Sequence, residues 1–224
     1  GLAALWPLAL PFAALLGAVL GVALILALSG SRGGSVTLIL AGIAISALAG
    51  AFTSLVLNLA PNPWAANEIV FWMMGSLADR SWLHVALACP FILIGAGILL
   101  SQGRALDALT LGEDAAESLG LRLSHVRLWL VLGTAAVVGA GVAVAGAVGF
   151  VGLVVPHLLR PLVAGRPSVL LIASALGGAG LVLAADVAVR VLLPTGDLKL
   201  GVLTALVGAP LFLHLIWKMR RGQI

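Results

Sequence analysis

The sequence predicts an all-α polytopic membrane protein, a bundle of about seven transmembrane helices forming one domain over residues 1–224. Hydrophobic residues make up 62% of the chain and charged residues only 9%, whereas soluble domains carry about 25% charged residues. The charges are also clustered, because none lies within 1–31, 33–67, 81–103 or 128–159. Each of these gaps is at least as long as the ~20 residues that a helix needs to cross a bilayer.

Seven spans fit the pattern of charged and uncharged stretches. The first three fill the first three uncharged gaps, and the fourth begins where the fourth gap begins, after Arg127. The fifth holds only about fifteen residues, which is too short for a regular crossing, so we expect a short or broken helix sheltered by other spans. The predicted spans are 7–29, 36–59, 83–101, 128–147, 149–163, 169–192 and 200–217.

Small residues recur at every fourth position of the second span. Such spacing keeps one face of a helix clear for close approach of a neighbour. Ordinary helix packing explains this pattern, and a transport pathway or a subunit interface is the functional alternative. This small-residue face consists of Gly42, Ser46, Gly50, Ser54 and Asn58, and Gly201 and Gly208 of the last span are assigned the same pathway or dimer role.

Residues 102–127, called here the polar segment, separate the third and fourth spans. They carry half of the eight acidic residues, so they are too polar to enter the membrane. Thr110 and Glu113 match a capping box, and Gly120 suits a left-handed helix end, so the pattern predicts a helix near 111–119. A solvated connector and a rigid docking element for a soluble partner are the two interpretations of this segment.

Ionisable residues interrupt the fifth and sixth spans. Pro156, His157 and Arg160 are predicted to form a structural joint that ends a broken span, although His157 and Arg160 could also contact a substrate or close a gate. Asp186 and Arg190 are four residues apart, which favours an ion pair within one helix. A proton relay is the alternative for that pair.

Basic residues set the predicted orientation, since cytoplasmic loops carry an excess of Lys and Arg. With a cytoplasmic C-terminus, nine of the twelve basic residues face the cytoplasm: Arg32, Arg104, Arg122, Arg127, Arg160, Arg166, Lys218, Arg220 and Arg221. Residues 60–82, with Trp64, Trp72 and Trp82, then form an external loop and helix. An odd number of spans leaves Gly1 outside, so we expect further spans upstream.

Several other classes of site are not indicated. One cysteine excludes an internal disulfide and a cysteine metal cluster, and His84 and His214 have no second ligand at helical spacing. The net charge of +4 is spread over loop edges without interleaved aromatic residues, so no nucleic-acid site is expected. No G-x-x-x-x-G-K-[ST] phosphate-binding motif occurs, so any ATP would be used by a separate subunit.

Four blocks carry a family resemblance: VFWMMGSL at 70–77, DALTLGEDAAESLGLRL at 107–123, GFVGLVVPHLLRPLVAGRP at 149–167 and LKLGVLTALVGAPLFLHLIWK at 198–218. Together they resemble permease subunits of ATP-driven importers for iron-siderophores, haem and vitamin B12. In that family the first block is a short external helix and the last block is the last span. The second block resembles the coupling segment that contacts the ATPase, matched here by Leu109, Leu111, Gly112, Glu113, Ala116, Leu119 and Gly120.

The resemblance implies a fold, partners and a location. Complete members of the family have ten spans, so this chain resembles the last seven. The expected partners are a second permease copy, ATP-binding cassette subunits, an external substrate-binding protein and the lipid bilayer. The expected location is the bacterial cytoplasmic (inner) membrane, with several passes. No cofactor is expected to bind the permease directly.

Two other functions compete with this one. A proton-coupled secondary transporter would use Asp186 and Arg190, but it leaves the polar segment without a partner. A seven-span photoreceptor would need a lysine deep in its last span, whereas Lys199 and Lys218 lie at the two ends of that span. A neighbouring gene for an ATP-binding cassette would favour the importer.

Overall fold

The computed structural model of this chain describes residues 9–30, 35–192 and 198–220, and over those ranges it contains helices and turns but no strand. A 3-10 helix covers Arg160–Val163. The α-helices are α1 Ala9–Ser29, α2 Ser35–Asn58, α3 Pro63–Met73, α4 Trp82–Ser101, α5 Gly103–Leu109, α6 Glu113–Ser118, α7 Leu123–Ala145, α8 Val151–Leu159, α9 Pro167–Leu192 and α10 Leu200–Arg220.

Five of these helices, α1, α2, α4, α7 and α9, are long and apolar enough to cross a bilayer. Two further apolar stretches, Val151–Val163 and Leu200–His214, are shorter. Each of the seven predicted spans therefore coincides with an apolar helix of the described chain. The prediction of an all-α polytopic membrane fold is confirmed.

The fourth predicted span differs from α7 at both ends. The prediction started it at 128, after the last charge, but α7 begins at Leu123 and includes Arg127. The helix can include the charged guanidinium of Arg127 because this group lies 2.8 Å from a carboxylate oxygen of Glu113. The helix then stops before the predicted 147, since Gly146 adopts a φ of 74°, a left-handed conformation that ends helices.

The structure groups the chain into two compact units, each built from two stretches, and the single transmembrane domain over residues 1–224 stays a prediction. Unit 1 takes the described residues within 1–70 and 81–144, and unit 2 those within 71–80 and 145–224. The division falls inside α3, so that its last turn and the residues after it belong to unit 2. Because each unit combines distant stretches of sequence, charge gaps could not indicate the division.

Helices of unit 1 approach one another through small residues. α1 packs on α2, and α4 crosses α7 where Gly95 meets Gly133: a Cβ on Gly95 would lie 2.7 Å from the Gly133 carbonyl oxygen. α7 also meets α1, since a Cβ on Gly139 would lie 2.9 Å from the Cβ of Ala18. α7 is therefore held against two other helices of this unit, in the manner expected of small residues in membrane bundles.

In unit 2, α8 packs against α9 and α10. The contact with α9 is centred on Gly177, where a Cβ would lie 2.7 Å from Leu159 Cδ1 and 3.0 Å from Val155 Cγ1. The contact with α10 is made at Gly208, beside the side chain of Phe150. Val154 and Val155 are buried, so the short helix α8 is sheltered on these sides.

Backbone atoms of three segments meet in a cluster of unit 2, called here the backbone junction. The Ser76 amide donates to the Ala145 carbonyl oxygen at 2.7 Å, and the Gly201 amide donates to the Met74 carbonyl oxygen at 3.0 Å. The end of α3, the end of α7 and the start of α10 are thus joined by main-chain hydrogen bonds. Such satisfied backbone groups are required of non-helical chain in an apolar region.

Candidate functional site

The polar segment (102–127) is built from two short helices between α4 and α7. α5 follows α4 directly, and its last turn ends at Thr110, whose hydroxyl donates to the Asp107 carbonyl oxygen at 2.7 Å. α6 follows after two residues and covers Glu113–Ser118. The predicted helix near 111–119 is therefore present, but shorter.

The predicted capping box of Thr110 and Glu113 is wrong. Thr110 has helical backbone angles, φ −66° and ψ −20°, because it ends α5. The residue that precedes α6 is Gly112, with φ 103°, a conformation that side-chain-bearing residues rarely adopt. Thr110 is instead the residue that ends the preceding helix, α5, so it cannot also begin α6.

The other end of α6 agrees with the prediction for Gly120. This glycine has φ 88°, its amide donates to the Glu117 carbonyl oxygen at 2.8 Å, and the Leu121 amide donates to that of Ala116 at 3.2 Å. These two hydrogen bonds define a Schellman motif. A six-residue helix is thereby given a fixed end, although it is too short to be stable by itself.

The seven residues expected to couple to an ATPase are not equivalent in the structure. Leu111, which precedes α6, is 69% exposed, and Leu119, which follows it, is 66% exposed. Ala116 is fully buried and Leu109 is half-buried, while Gly112, Glu113 and Gly120 are exposed. Two exposed leucines on a polar segment are suited to contact another protein, and the buried alanine can only support them.

Glu113 has a partner that sequence reasoning missed. A carboxylate oxygen of Glu113 lies 2.8 Å from an Nη atom of Arg127, and the two side chains are 55% and 23% exposed. The residues are fourteen positions apart, outside the three- and four-residue spacings that indicate pairs within a helix. The sequence offered one indication of this pair, because Arg127 lies just before an uncharged span. The count of basic residues used Arg127 only to predict the orientation in the membrane.

The small-residue face of α2 is open in the structure. Ser46, Gly50, Ser54 and Asn58 are exposed and Gly42 is half-buried. Ser54 donates its hydroxyl hydrogen bond back to the Gly50 carbonyl oxygen at 3.0 Å, which satisfies the hydroxyl within the helix. No described residue covers most of this face, and its assignment to a pathway or a second copy stays a prediction.

Gly201 and Gly208 have a different environment from the one expected. The space where a Cβ of Gly201 would lie is filled by the carbonyl oxygens of Met74 and Ala147, and Gly208 is buried beside Phe150. Both glycines make close contacts within unit 2, Gly201 also lines a cavity with Met73 and Met74, and their assignment to a pathway or dimer face stays a prediction. Spacing alone cannot distinguish an internal close approach from an external one.

Of the three residues predicted to form a joint, Pro156, His157 and Arg160, only Arg160 lies where the helix type changes. α8 continues through Pro156 to Leu159, and the change to a 3-10 helix comes at Arg160. Proline in the second turn of a helix leaves only one carbonyl without its donor, so it need not end the helix. The chain then turns at Ala164, with φ 50°. Arg160 is exposed and His157 half-buried.

Only the first half of the block at 70–77 is helical. α3 ends at Met73 because Gly75, with φ 63°, reverses the chain into the backbone junction. Beyond it the Arg80 guanidinium lies 5.3 Å from the centre of the Trp72 ring, a cation–π arrangement. Met73 and Met74 line an apolar cavity of about 650 Å³ with residues of α10.

Asp186, Arg190 and His84 make contacts within or beside their own helices. Asp186 and Arg190 form the predicted ion pair within α9, with Nε and Oδ2 2.8 Å apart. The backbone amide of Ser81 donates to Nδ1 of His84 at 3.3 Å, so His84 stabilises the start of α4. Among the described residues no group of three or more His, Cys, Asp or Glu side chains could hold a metal ion.

Known proteins match this chain along most of its length. A model of the FecCD transport family matches residues 2–218. The Fe(3+) dicitrate transport system permease protein of Escherichia coli is 40% identical over 183 residues, covering 82% of this chain and 57% of that protein. The vitamin B12 import system permease protein of Vibrio cholerae is 39% identical over 218 residues, covering 97% of this chain and 64% of that protein.

The hemin transport system permease protein of Yersinia pestis is 40% identical over 192 residues, which are 86% of this chain and 57% of that protein. The chain thus spans somewhat over half the length of these curated relatives. A solved metal-chelate type ABC transporter in an inward-facing conformation superposes with a TM-score of 0.81 and 34% identity, covering 88% of this chain and 63% of that one. With the family match running from residue 2 to 218 on a shared fold, this chain belongs to the FecCD transport family.

Proposed function

We propose that this chain is part of the permease subunit of an ATP-driven importer for metal chelates. We propose further that its polar segment contacts the ATPase and transmits the movement that ATP hydrolysis drives. The single observation that carries the proposal is α6 with its flanking leucines. Leu111 and Leu119 are exposed on a segment in which Schellman hydrogen bonds hold the end of α6 at Gly120. An exposed apolar pair on a polar connector suits a protein partner better than a solvated loop does.

The partner proposed for this surface is an ATP-binding cassette subunit. The sequence contains no phosphate-binding motif of the G-x-x-x-x-G-K-[ST] type, so hydrolysis belongs to a separate subunit. The permease itself is proposed to bind no cofactor. The names of the relatives support the first point, because they are called permease proteins of a transport or import system.

The proposed cargo is a metal chelate. Relatives are named for transport of iron dicitrate, haem and vitamin B12, which share a metal bound by an organic ligand. The proposed route runs between two permease copies, with the small-residue face of α2 turned toward the pathway or the second copy. An external substrate-binding protein would deliver the chelate.

The proposed location is the bacterial cytoplasmic membrane, with the C-terminus in the cytoplasm. That orientation follows from the distribution of basic residues and puts the polar segment on the side where ATP is available. A secondary transporter is not favoured. Asp186 is engaged by Arg190 on the same helix, and the secondary-transporter hypothesis gives α6 no role.

The proposal is tested by uptake of labelled iron citrate, haem and cobalamin in a strain that carries the full-length gene with its neighbouring ATPase and binding protein. Leu111→Ala combined with Leu119→Ala should abolish most uptake and release the ATPase during purification. Leu59→Ala is the matched control, since Leu59 is equally exposed, at 71%, outside the polar segment. Uptake of none of the three chelates, or full ATPase retention by the double variant, would contradict the proposal.

A further inference from the structure

The ion pair of Glu113 and Arg127 joins two elements that the chain connects only loosely. Glu113 is the first residue of α6, and Arg127 lies in the second turn of α7. Between the two helices run four residues that include Gly120 in its left-handed conformation. The 2.8 Å contact closes this loop with a second attachment.

Arg127 lies on a part of α7 whose neighbouring side chains are packed. Its neighbours Leu123 and Val126 are buried, and its own side chain is 23% exposed. Further along, the same helix is held against α4 at Gly133 and against α1 at Gly139. A displacement of α6 that is passed to Arg127 therefore reaches the packed part of unit 1.

Glu113 is oriented by this contact. Its carboxylate is directed to Arg127, whereas the exposed apolar contacts of the segment are Leu111 and Leu119. A carboxylate that already holds an arginine of its own chain is poorly placed to be the main contact with another subunit. The role that the family resemblance implied for Glu113, direct contact with the ATPase, is therefore open to revision.

We propose that Arg127 is a positioning residue which, through Glu113, fixes the orientation of α6 relative to α7, so that a push on α6 moves α7. This inference rests on the proposed function, because it assumes that α6 docks on an ATP-binding cassette subunit. Glu113 then acts within the permease, and the docking contacts come from the two leucines.

The size of the effect follows from the exposure of the pair. Half-exposed ion pairs contribute modestly, so loss of the pair should raise the local opening of α6 by about two- to five-fold. A docking surface that is correctly oriented for a smaller fraction of the time binds its partner correspondingly more weakly. The apparent affinity for the ATPase should fall by at most that factor, so association survives.

The test is a charge exchange in the full-length permease: Glu113→Arg, Arg127→Glu and the double variant. Hydrogen exchange is measured without the ATPase at the amides that α6 and its end protect, those of Ala116, Leu119, Gly120 and Leu121. Each single variant should exchange at least two-fold faster, and the double variant should return to within about two-fold of the wild-type rate. Glu117→Arg, the same charge change on the same helix, is the control.

ATPase affinity and chelate uptake are measured on the same variants in the assembled complex. Both should fall in the single variants and recover in the double variant. Exchange that is not restored in the double variant, or that is no faster in the single variants than in the control, would overturn the positioning role. A wild-type permease that binds no ATPase would instead refute the proposed function, whatever the exchange rates of the variants.

Discussion

Gly201→Ala offers the sharpest test of the backbone junction. The added Cβ would meet the Met74 carbonyl oxygen and lie 2.7 Å from the carbonyl oxygen of Ala147. Both obstacles are main-chain atoms, so no side chain can rotate to make room. The start of α10 must move away, and the hydrogen bond from the Gly201 amide to Met74, 3.0 Å long, is stretched or lost.

The expected cost combines two terms. Overpacking a filled site costs about 1–3 kcal/mol, and the lost hydrogen bond adds about 1 kcal/mol. The variant should therefore lose about 2–4 kcal/mol of unfolding free energy. For a protein of this size, that loss lowers Tm by roughly 4–16 °C.

The assay is thermal unfolding of the full-length permease in detergent, followed by circular dichroism. Gly180→Ala is the matched control, because Gly180 is also helical and in unit 2 but has no atom within 4 Å of an added Cβ. The control should be neutral or stabilised by up to about 1 kcal/mol. A Tm for Gly201→Ala within 2 °C of both wild type and control would show that the junction is looser than described.

Two further predictions concern α2 and α6. Ser46→Leu on the small-residue face of α2 should reduce uptake at least ten-fold. The control, Ala44→Leu on the opposite side of that helix, should leave uptake near the wild-type level. Equal uptake by the two variants would indicate that the face lies against lipid. Gly120→Ala must hold a φ of 88° with a side chain, so it should weaken the end of α6 by about 1–2 kcal/mol and speed amide exchange at Leu121. An unchanged exchange rate there would count against the Schellman end.

Composition and charge spacing by themselves determined the membrane fold and the order of its helices. The uncharged gaps located the first four spans and most of the fifth, because each gap is long enough for a helix to cross a bilayer. The left-handed helix end at Gly120 could also be predicted from the sequence, because few residues other than glycine tolerate that backbone conformation. The short fifth span followed from length alone.

Contacts between distant residues could not be read in this way. Glu113 meets Arg127 fourteen positions away, and Gly201 meets the carbonyl oxygens of residues 74 and 147. Neither distance matches a helical repeat, so no periodic pattern indicates the partner. Thr110 shows the same limit on a smaller scale, because a capping motif was overridden by the helix before it.

The sequence therefore determined which parts of this chain lie in the membrane, and it identified the polar segment as the part suited to a soluble partner. Only the tertiary structure decided how that segment is held, which of its residues are exposed and which glycines serve internal packing. The physical reason is that hydropathy and backbone preference are properties of neighbouring residues. Packing and ion pairing depend on which surfaces the folded chain brings together.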